Sequence, residues 1–540
     1  MPTMPSSNHL ARELALQAAT KVPMNPTSLI EYQSRGRIAV IGGFEAMEFA
    51  PRLLGPLHPQ VVLLEGAEEP GVPVVALAGR PIRIEGYLGA FNIHLGEEGK
   101  SNYECMPVDL ILDLSPQPIL TMPIKPPGYF SCATDEVSLS EALESLSQMT
   151  GVFEKPKFFD YDAEICAHGR SGVEGCNRCV EACPAQAITT LAESISVNPN
   201  LCQGGGVCAS VCPTGAIRYH YPQPETTLEQ LAALIKTYRE QGGMDPVICF
   251  MSEADAPALD VLPDNVLPVL LEELASVGFE VWLAALCFGA ASVYLLDCGS
   301  VPDMVSAPLK DQVQVAQSIL EGFGYPGSVL SYITDVNDIA RSNSLMPSIK
   351  PATYKTGNNK RQMAFFAIDH LYHQAVDPAR ILAMPDASPF GRIMVDQQAC
   401  TLCMACTSVC PANAINAGGE TPKLIFHEMN CVQCGICAKA CPEQAISLEP
   451  RLLADSEQRL AAATLNEETP FLCISCGKPF ATQSVINIMM AKLQGHWMYQ
   501  SERSRQRLRM CEDCRVIDVM QDAEAMESTV TGRQIGPDVH

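Results

Sequence analysis

The chain has 540 residues, several times the length of a typical domain, and so reads as modular. Its 61 acidic against 36 basic residues leave a net charge of −25, which repels phosphate backbones and anionic membrane surfaces and excludes nucleic acid as a partner. With 47% hydrophobic and only 18% charged residues, it can bury packed cores and is not a disordered chain.

Taken in order, residues 1–36 carry Pro, Ser and one short amphipathic stretch, and are expected to form a loosely held N-terminal arm. Residues 37–150 read as an α/β domain: RIAVIGG as a buried strand ending in a Gly turn, EAMEFAPRLL as a short helix, VVLLEG as a second strand, then VVALAG, IRIEGYLGAFNIHLG and LILDLS as further strand-like runs. The IGGF turn lacks the G-x-G-x-x-G glycines that let backbone approach a pyrophosphate, which favours a structural role over a nucleotide site. A cysteine-dense block, 151–222, follows.

Residues 223–340 form a second α/β domain, with TLEQLAALIKTYRE and NVLPVLLEELASVG helix-like and PVICF and SVYLLDCG strand-like, which implies a small parallel sheet with covering helices. The longest uncharged apolar run, Val281 to Leu296, falls short of the roughly 20 residues needed to span a bilayer; it reads as a buried helix running into a buried strand, without direct membrane insertion. Residues 341–392 read as a linker, 393–450 as a second cysteine-dense block, and 451–540 as a helical segment with two further C-x-x-C pairs.

Twenty-four cysteines, mostly in tight groups, in a chain whose start MPTMPSSNHLARELAL lacks a charged-then-apolar leader, point to metal thiolates in a reducing, cytoplasmic compartment. Four segments share C-x3-C-P-x-x-A-I: CVEACPAQAI from Cys179, CASVCPTGAI from Cys208, CTSVCPANAI from Cys406 and CAKACPEQAI from Cys437. They come in two pairs, so one double module is present twice. C-x-x-C-x-x-C wraps three thiolates around one face of an iron–sulfur cube, the fourth Cys reaches the neighbouring cube, the Pro ends the turn and the Ala-Ile packs beneath the cluster.

These blocks resemble the bacterial two-cluster ferredoxin family over about 50 residues each. In the second block both motifs are complete, and the family's crossed pairing implies one [4Fe-4S] cluster on Cys400, Cys403, Cys406 and Cys441 and another on Cys431, Cys434, Cys437 and Cys410. The first block departs twice. Val173 stands where a leading Cys belongs, and the loop with three glycines after Cys166 lets that residue join Cys176, Cys179 and Cys212 on a cluster, with His168 as an alternative ligand. Gly205 replaces the second Cys of the other motif, leaving Cys183, Cys202 and Cys208. Three outcomes stay open there: a [3Fe-4S] cluster, a [4Fe-4S] cluster with one incompletely ligated iron, or an outside ligand such as Cys105 or Cys132.

Near the end, Cys473 and Cys476 in CISCGK and Cys511 and Cys514 in CEDC resemble zinc-ribbon knuckles, which implies a closed tetrahedral zinc site, with a further iron–sulfur cluster as the alternative. The stretch 245–325 resembles the delta-subunit family of methyl-viologen-reducing hydrogenases at VICF, LPVLLEELASVGFEVWLAALCFGAASVYLLDCG and QVAQSILEGFG, but FMSEADAP lacks that family's cluster cysteines, so Cys249, Cys287 and Cys298 are expected in the core. The whole arrangement resembles the large iron–sulfur proteins encoded beside proteobacterial formate dehydrogenases, particularly at ICAHGRSGVEGCNRCVEACP and FLCISCGKPF.

The expected fold class is therefore α+β and multi-domain: two ferredoxin-like dicluster modules, two α/β domains with small parallel sheets and a zinc-ribbon-like tail. There is no nucleophile elbow, P-loop or H-E-x-x-H motif. The leading expectation is an electron-transfer subunit of an oxidoreductase, with three [4Fe-4S] clusters and a fourth, deficient one. It would relay single electrons between a redox partner, a dehydrogenase such as formate dehydrogenase, and an acceptor. The alternatives are an enzyme using an open iron at Cys183, Cys202 and Cys208, and a redox-sensing or maturation factor that docks on another enzyme.

Overall fold

A computed structural model describes residues 6–55, 57–65, 72–132, 136–341, 344–354, 359–419 and 421–522. The ends of the expected arm (1–5) and tail (523–540), and parts of the expected linker (342–343, 355–358), lie outside them. The chain divides into two compact units, one comprising Met1–His168 and Asn177–Ser388, the other Gly169–Cys176 and Pro389–His540.

In the first unit, RIAVIG forms the strand Arg37–Gly42, every residue after Arg37 buried. It is central to a five-stranded parallel sheet whose spatial order is 74–76, 58–63, 37–42, 110–113, 129–131. Strands covered on both faces read as continuous apolar runs, which is how VVLL and LILD appear in the sequence. The strand order reverses beside 37–42, the place where doubly wound sheets bind ligands. Here the Gly43 N–H that would face a phosphate donates to the Glu45 carboxylate at 2.8 Å. Beyond the neighbouring strand, Asp113 accepts hydrogen bonds from the Ser115 and Ile119 N–H groups at 3.0 and 2.9 Å and from the Tyr129 hydroxyl. Carboxylates thus fill the crevice. IRIEGYLGAFNIHLG folds separately, as part of an antiparallel sheet with Glu104–Val108.

The second parallel sheet has the order 266–271, 247–252, 292–296, 330–333. The 281–296 run does form a helix, Phe279–Phe288, buried all round, followed by the strand Ser292–Leu296. VLPVLL departs from the helix expected of it and forms the strand Val266–Leu271. A short apolar run suits a buried helix and a buried parallel strand equally, and pairing with 247–252 decides. Cys249 and Cys287 are fully buried as expected, whereas Cys298 is exposed because it stands beyond the strand end, in the turn with Gly299.

The loose arm and the linker are both corrected. Within the arm, Ser7–Ala19 is a helix with Ala11 and Ala15 fully buried, packed on the helix Pro224–Glu240, and Leu29–Ser34 pairs antiparallel with Gly151–Pro156. Within 341–392, Lys360–Gln374 is a helix that buries Met363, Phe365, Ile368 and Leu371 and packs on Phe279–Phe288. Among the described residues, no helix is long and apolar enough to cross a membrane.

One ion pair ties the first sheet at its amino ends. Asp109, 1% exposed, accepts from the Arg37 guanidinium at 2.6 Å and from the N–H groups of Arg35 and Arg37 at 2.8 and 3.0 Å. Burial opposes its ionisation, but these donors outweigh burial and hold the carboxyl below its usual range. Asp109→Ala should cost about 2–3 kcal/mol, because it strands the Arg37 guanidinium and the N–H groups of Arg35 and Arg37. Since the folded carboxyl is the stronger acid, this contribution is present at neutral pH and fades as pH falls through the acidic range. Denaturant midpoints of wild type and Asp109→Ala should converge in acid; a constant gap would refute the assignment.

Candidate iron–sulfur and metal sites

In the second unit, the strand Gly391–Val395 pairs antiparallel with Ile446–Leu453, and both cysteine motifs hang from this pair. Asp396 starts the first loop, its carboxylate accepting from Gln398 N–H at 2.9 Å and its carbonyl from Cys400 N–H at 2.9 Å. Leu402 and Met404, on either side of Cys403, take left-handed backbone (φ 56° and 63°), and Gln433 and Gly435 do the same around Cys434 (φ 55° and 79°). Each loop then enters a single helical turn carrying Cys406 or Cys437.

The result is two small apolar hollows. One is lined by Cys400, Cys403, Cys406 and Cys441, the other by Cys431, Cys434, Cys437 and Cys410. These are the two crossed sets that the ferredoxin resemblance implies. Ile393, Ile415, Phe426 and Ile446 pack around them and exclude water. Burial, then the neighbouring thiols Cys400, Cys403 and Cys441, push the Cys406 thiol up to about 12; burial likewise dominates at Cys434, pushed up to about 11. Four thiols converging in a low-dielectric hollow cannot all ionise without a cationic core to offset them, and an iron–sulfur cube supplies such a core.

The fourth cysteines share a device that the sequence does not display. Three residues after each Cys-Pro cysteine the backbone turns left-handed, at Gln186, Gly215, Asn413 and Gln444 (φ 49°, 76°, 50° and 51°). That turn aims the next N–H at sulfur: Ala187 to Cys183 at 3.3 Å, Ala414 to Cys410 at 3.2 Å and Ala445 to Cys441 at 3.3 Å. In the remaining repeat, Thr214 intervenes, its hydroxyl accepting from Ala216 N–H at 3.1 Å and lying 3.5 Å from Cys212 Sγ.

In the first unit, Phe159, Ile188, Ile195 and Ile217 form a core against which Cys166, Cys179, Cys183, Cys202, Cys208 and Cys212 gather. Cys208 is driven far up by burial and then by Cys202 and Cys183, the trio expected from the sequence. Tyr161 lies by Cys166 and Cys179, and burial followed by a hydrogen bond with Cys166 keeps its phenol protonated. His168, the alternative ligand, is buried. The loop expected to bring Cys166 round instead forms a hairpin, Gly169–Arg170 with Val173–Glu174, that belongs to the second unit together with Cys176. There Arg170 donates to the Cys410 carbonyl at 3.2 Å and Lys439 to the Glu174 carbonyl at 3.1 Å. Neither outside candidate joins the trio: Cys132 packs in the core of the first α/β domain, and Cys105 is exposed on the strand Glu104–Val108.

Two lysines at these sites escape sequence reading. Lys155 donates to the carbonyls of Asn200 and Cys202 at 3.0 and 2.5 Å, and Lys360 to those of Ala209 and Ser210 at 2.7 and 2.5 Å, at the end of the short helix that carries Cys208. Lys155 places positive charge beside Cys202, Lys360 ties down the helical turn after Cys208, and both reach in from distant parts of the chain, so no local motif announces them.

In the tail, Pro470–Leu472 and Pro479–Thr482 form a hairpin whose turn holds Cys473, Cys476 and Gly477 (φ 75°). The two pairs converge as a set: the thiols of Cys473, Cys476, Cys511 and Cys514 all lie within 4.8 Å of one another. Cys476 and Cys511 are 3.7 Å apart, against about 3.8 Å for the edge of a tetrahedron with roughly 2.3 Å metal–sulfur bonds. Burial opposes ionisation of Cys473, but N–H groups of Cys511, Cys476 and Ser475 outweigh it and bring the thiol down to about 6. A helix, Gln483–Leu493, lies between the two pairs in the sequence.

Crossed ligation predicts a specific pattern of iron loss. Cys400→Ala combined with Cys441→Ala should lose no more iron than either single variant, whereas Cys400→Ala combined with Cys410→Ala should lose about twice as much. Equal losses from both double variants would rule out the crossing.

In comparison with known families, a family model described as a 4Fe-4S dicluster domain matches twice, at residues 174–216 and 399–445. A comparison with curated proteins finds no match. Both matched segments contain the repeated motifs, and the second holds the cysteines of both hollows, so this chain is an iron–sulfur protein of the electron-transfer type, built around two segments similar to the 4Fe-4S dicluster domain.

Proposed function

We propose that the chain is a cytoplasmic electron-relay subunit, taking single electrons from a dehydrogenase-type partner of the formate dehydrogenase class and delivering them to an acceptor. The observation that carries this reading is the pair of water-poor hollows in the second unit, each lined by one crossed set of four cysteines. When bound, [4Fe-4S] clusters supply reversible one-electron chemistry. The polypeptide orients the thiols, keeps water out with Ile393, Ile415, Phe426 and Ile446, and donates N–H groups to the sulfurs, which tunes how readily each centre accepts charge. By sequence spacing, Cys166, Cys176, Cys179 and Cys212 are assigned to one further cluster, which leaves Cys183, Cys202 and Cys208 for a deficient one.

The net charge of −25 supports docking on a basic partner surface, with association that weakens as salt screens it. Anaerobic protein mixed with formate dehydrogenase and formate should lose its cluster absorption and gain the EPR signals of reduced clusters, at a rate that falls with ionic strength. If dithionite reduces the clusters but the dehydrogenase does not, the partner assignment fails. If the rate ignores salt, electrostatic docking fails.

We assign the tail site to structural zinc, because its thiol spacing matches a single tetrahedral ion rather than a four-iron cube. The full-length protein should contain about one zinc per chain, and Cys511→Ser should lose that zinc while keeping its iron. Loss of iron in its place would make this a further cluster.

A further inference from the structure

The trio Cys183, Cys202 and Cys208 differs from the complete sites at one point, and the backbone there keeps the shape of a ligand loop. Gly204 and Gly206 are left-handed (φ 83° and 71°), as are the residues flanking Cys403 and Cys434. The three loops also enter their helical turns alike, through left-handed Gly206, Met404 and Gly435. Gly205 therefore occupies the backbone position of a metal-binding cysteine.

Packing explains its neighbours but not Gly205 itself. A Cβ on Gly204 would lie 2.9 Å from the Phe158 ring, and one on Gly206 2.5 Å from the Ser276 backbone, so both must be glycine. A Cβ on Gly205 would meet no described atom within 4 Å, and its φ is ordinary. Neither sterics nor conformation demands glycine at 205. What it does is withhold a thiolate, and the two outside thiols that could replace it lie elsewhere, Cys132 in another core and Cys105 exposed on a strand.

Building on the iron–sulfur reading, we infer that the corner facing Gly205 is an exchangeable metal site that takes up and releases ferrous iron, with solvent completing its coordination. The cluster of the Cys183, Cys202 and Cys208 trio then exists in three-iron and four-iron forms. The exchange balances without electron movement: a neutral [3Fe-4S] core, formed when the oxidised cluster gains one electron from a low-potential one-electron donor, binds Fe2+ and becomes [4Fe-4S]2+. Transfer of one electron to a one-electron acceptor reverses the uptake, [4Fe-4S]2+ releasing Fe2+ and returning to [3Fe-4S]+. The positive charge of Lys155, held on the carbonyls of Asn200 and Cys202, keeps a second cation from being drawn in too strongly and so favours reversibility.

The test uses the full-length protein, oxidised with ferricyanide and followed by EPR, then reduced with dithionite and titrated with Fe2+. Oxidised wild type should show a three-iron signal, which reduction alone removes; the reduced protein should then retain about one equivalent of added Fe2+ per chain through gel filtration and gain the EPR signal of one further reduced four-iron cluster. Gly205→Cys should show no such signal and take up no added iron. Gly205→Ala, for which there is room, should behave as wild type and decides the matter even if the cysteine variant misfolds. The inference is overturned if oxidised wild type gives no three-iron signal, if the reduced protein retains no added Fe2+, or if Gly205→Cys gives the three-iron signal. Iron and acid-labile sulfide measured on the same samples keep the two readings apart: absence of sulfide overturns the iron–sulfur assignment itself, whereas normal sulfide with a failed titration overturns only the exchangeable corner.

Discussion

Convergence of four thiols around a largely apolar hollow is the constraint on which the cysteine modules depend. A lone buried thiol is an ordinary small core residue, and Cys249 and Cys287 are examples. Four of them around one hollow are different, because mutual proximity and desolvation both resist the ionised form in which cysteine binds metal. A cationic iron–sulfur core removes that conflict. It also completes the packing, since Ile393, Ile415, Phe426 and Ile446 surround hollows that side chains alone leave unfilled. Folding and cluster acquisition are thereby coupled in these modules.

Backbone geometry does the rest, through residues whose identity gives little sign of it. Leu402, Met404, Gln433, Gln186, Asn413 and Gln444 all adopt left-handed φ without being glycine. Such residues are strained by about 1 kcal/mol or more each, which persists only where surrounding contacts over-determine the turn. The return is a set of N–H groups aimed at sulfur. Thr214 breaks this pattern, so the Cys212 sulfur has a hydroxyl neighbour where its counterparts receive a peptide N–H. Sulfur hydrogen bonding is one of the levers that separate cluster potentials, and the four repeats are not equivalent in it.

The cysteine chemistry is largely legible in the sequence, because ligand spacing is a local property. Both crossed sets, the deficient trio and the Cys473, Cys476, Cys511 and Cys514 group come together as spacing and resemblance imply. What escapes a linear reading is set by contacts between distant segments. Ser7–Ala19 looks like a marginal free helix until its Ala11 and Ala15 face meets Pro224–Glu240. Lys360–Gln374 sits in a Pro- and Asn-rich stretch that reads as linker, yet it buries a full apolar face. VLPVLL is ambiguous in itself, since period cannot separate a short buried helix from a buried parallel strand. Lys155 and Lys360 follow the same rule: their partners lie far along the chain, so their role appears only in three dimensions.

The Glu45 carboxylate has a consequence that reaches beyond its own turn. The sheet around Arg37–Gly42 has the strand order of dinucleotide-binding domains, and its crevice is where a pyridine or flavin nucleotide would lie. With Glu45 on the Gly43 N–H and Asp113 opposite, that crevice is negatively charged and its first amide is spent, so a pyrophosphate meets repulsion where it needs donors.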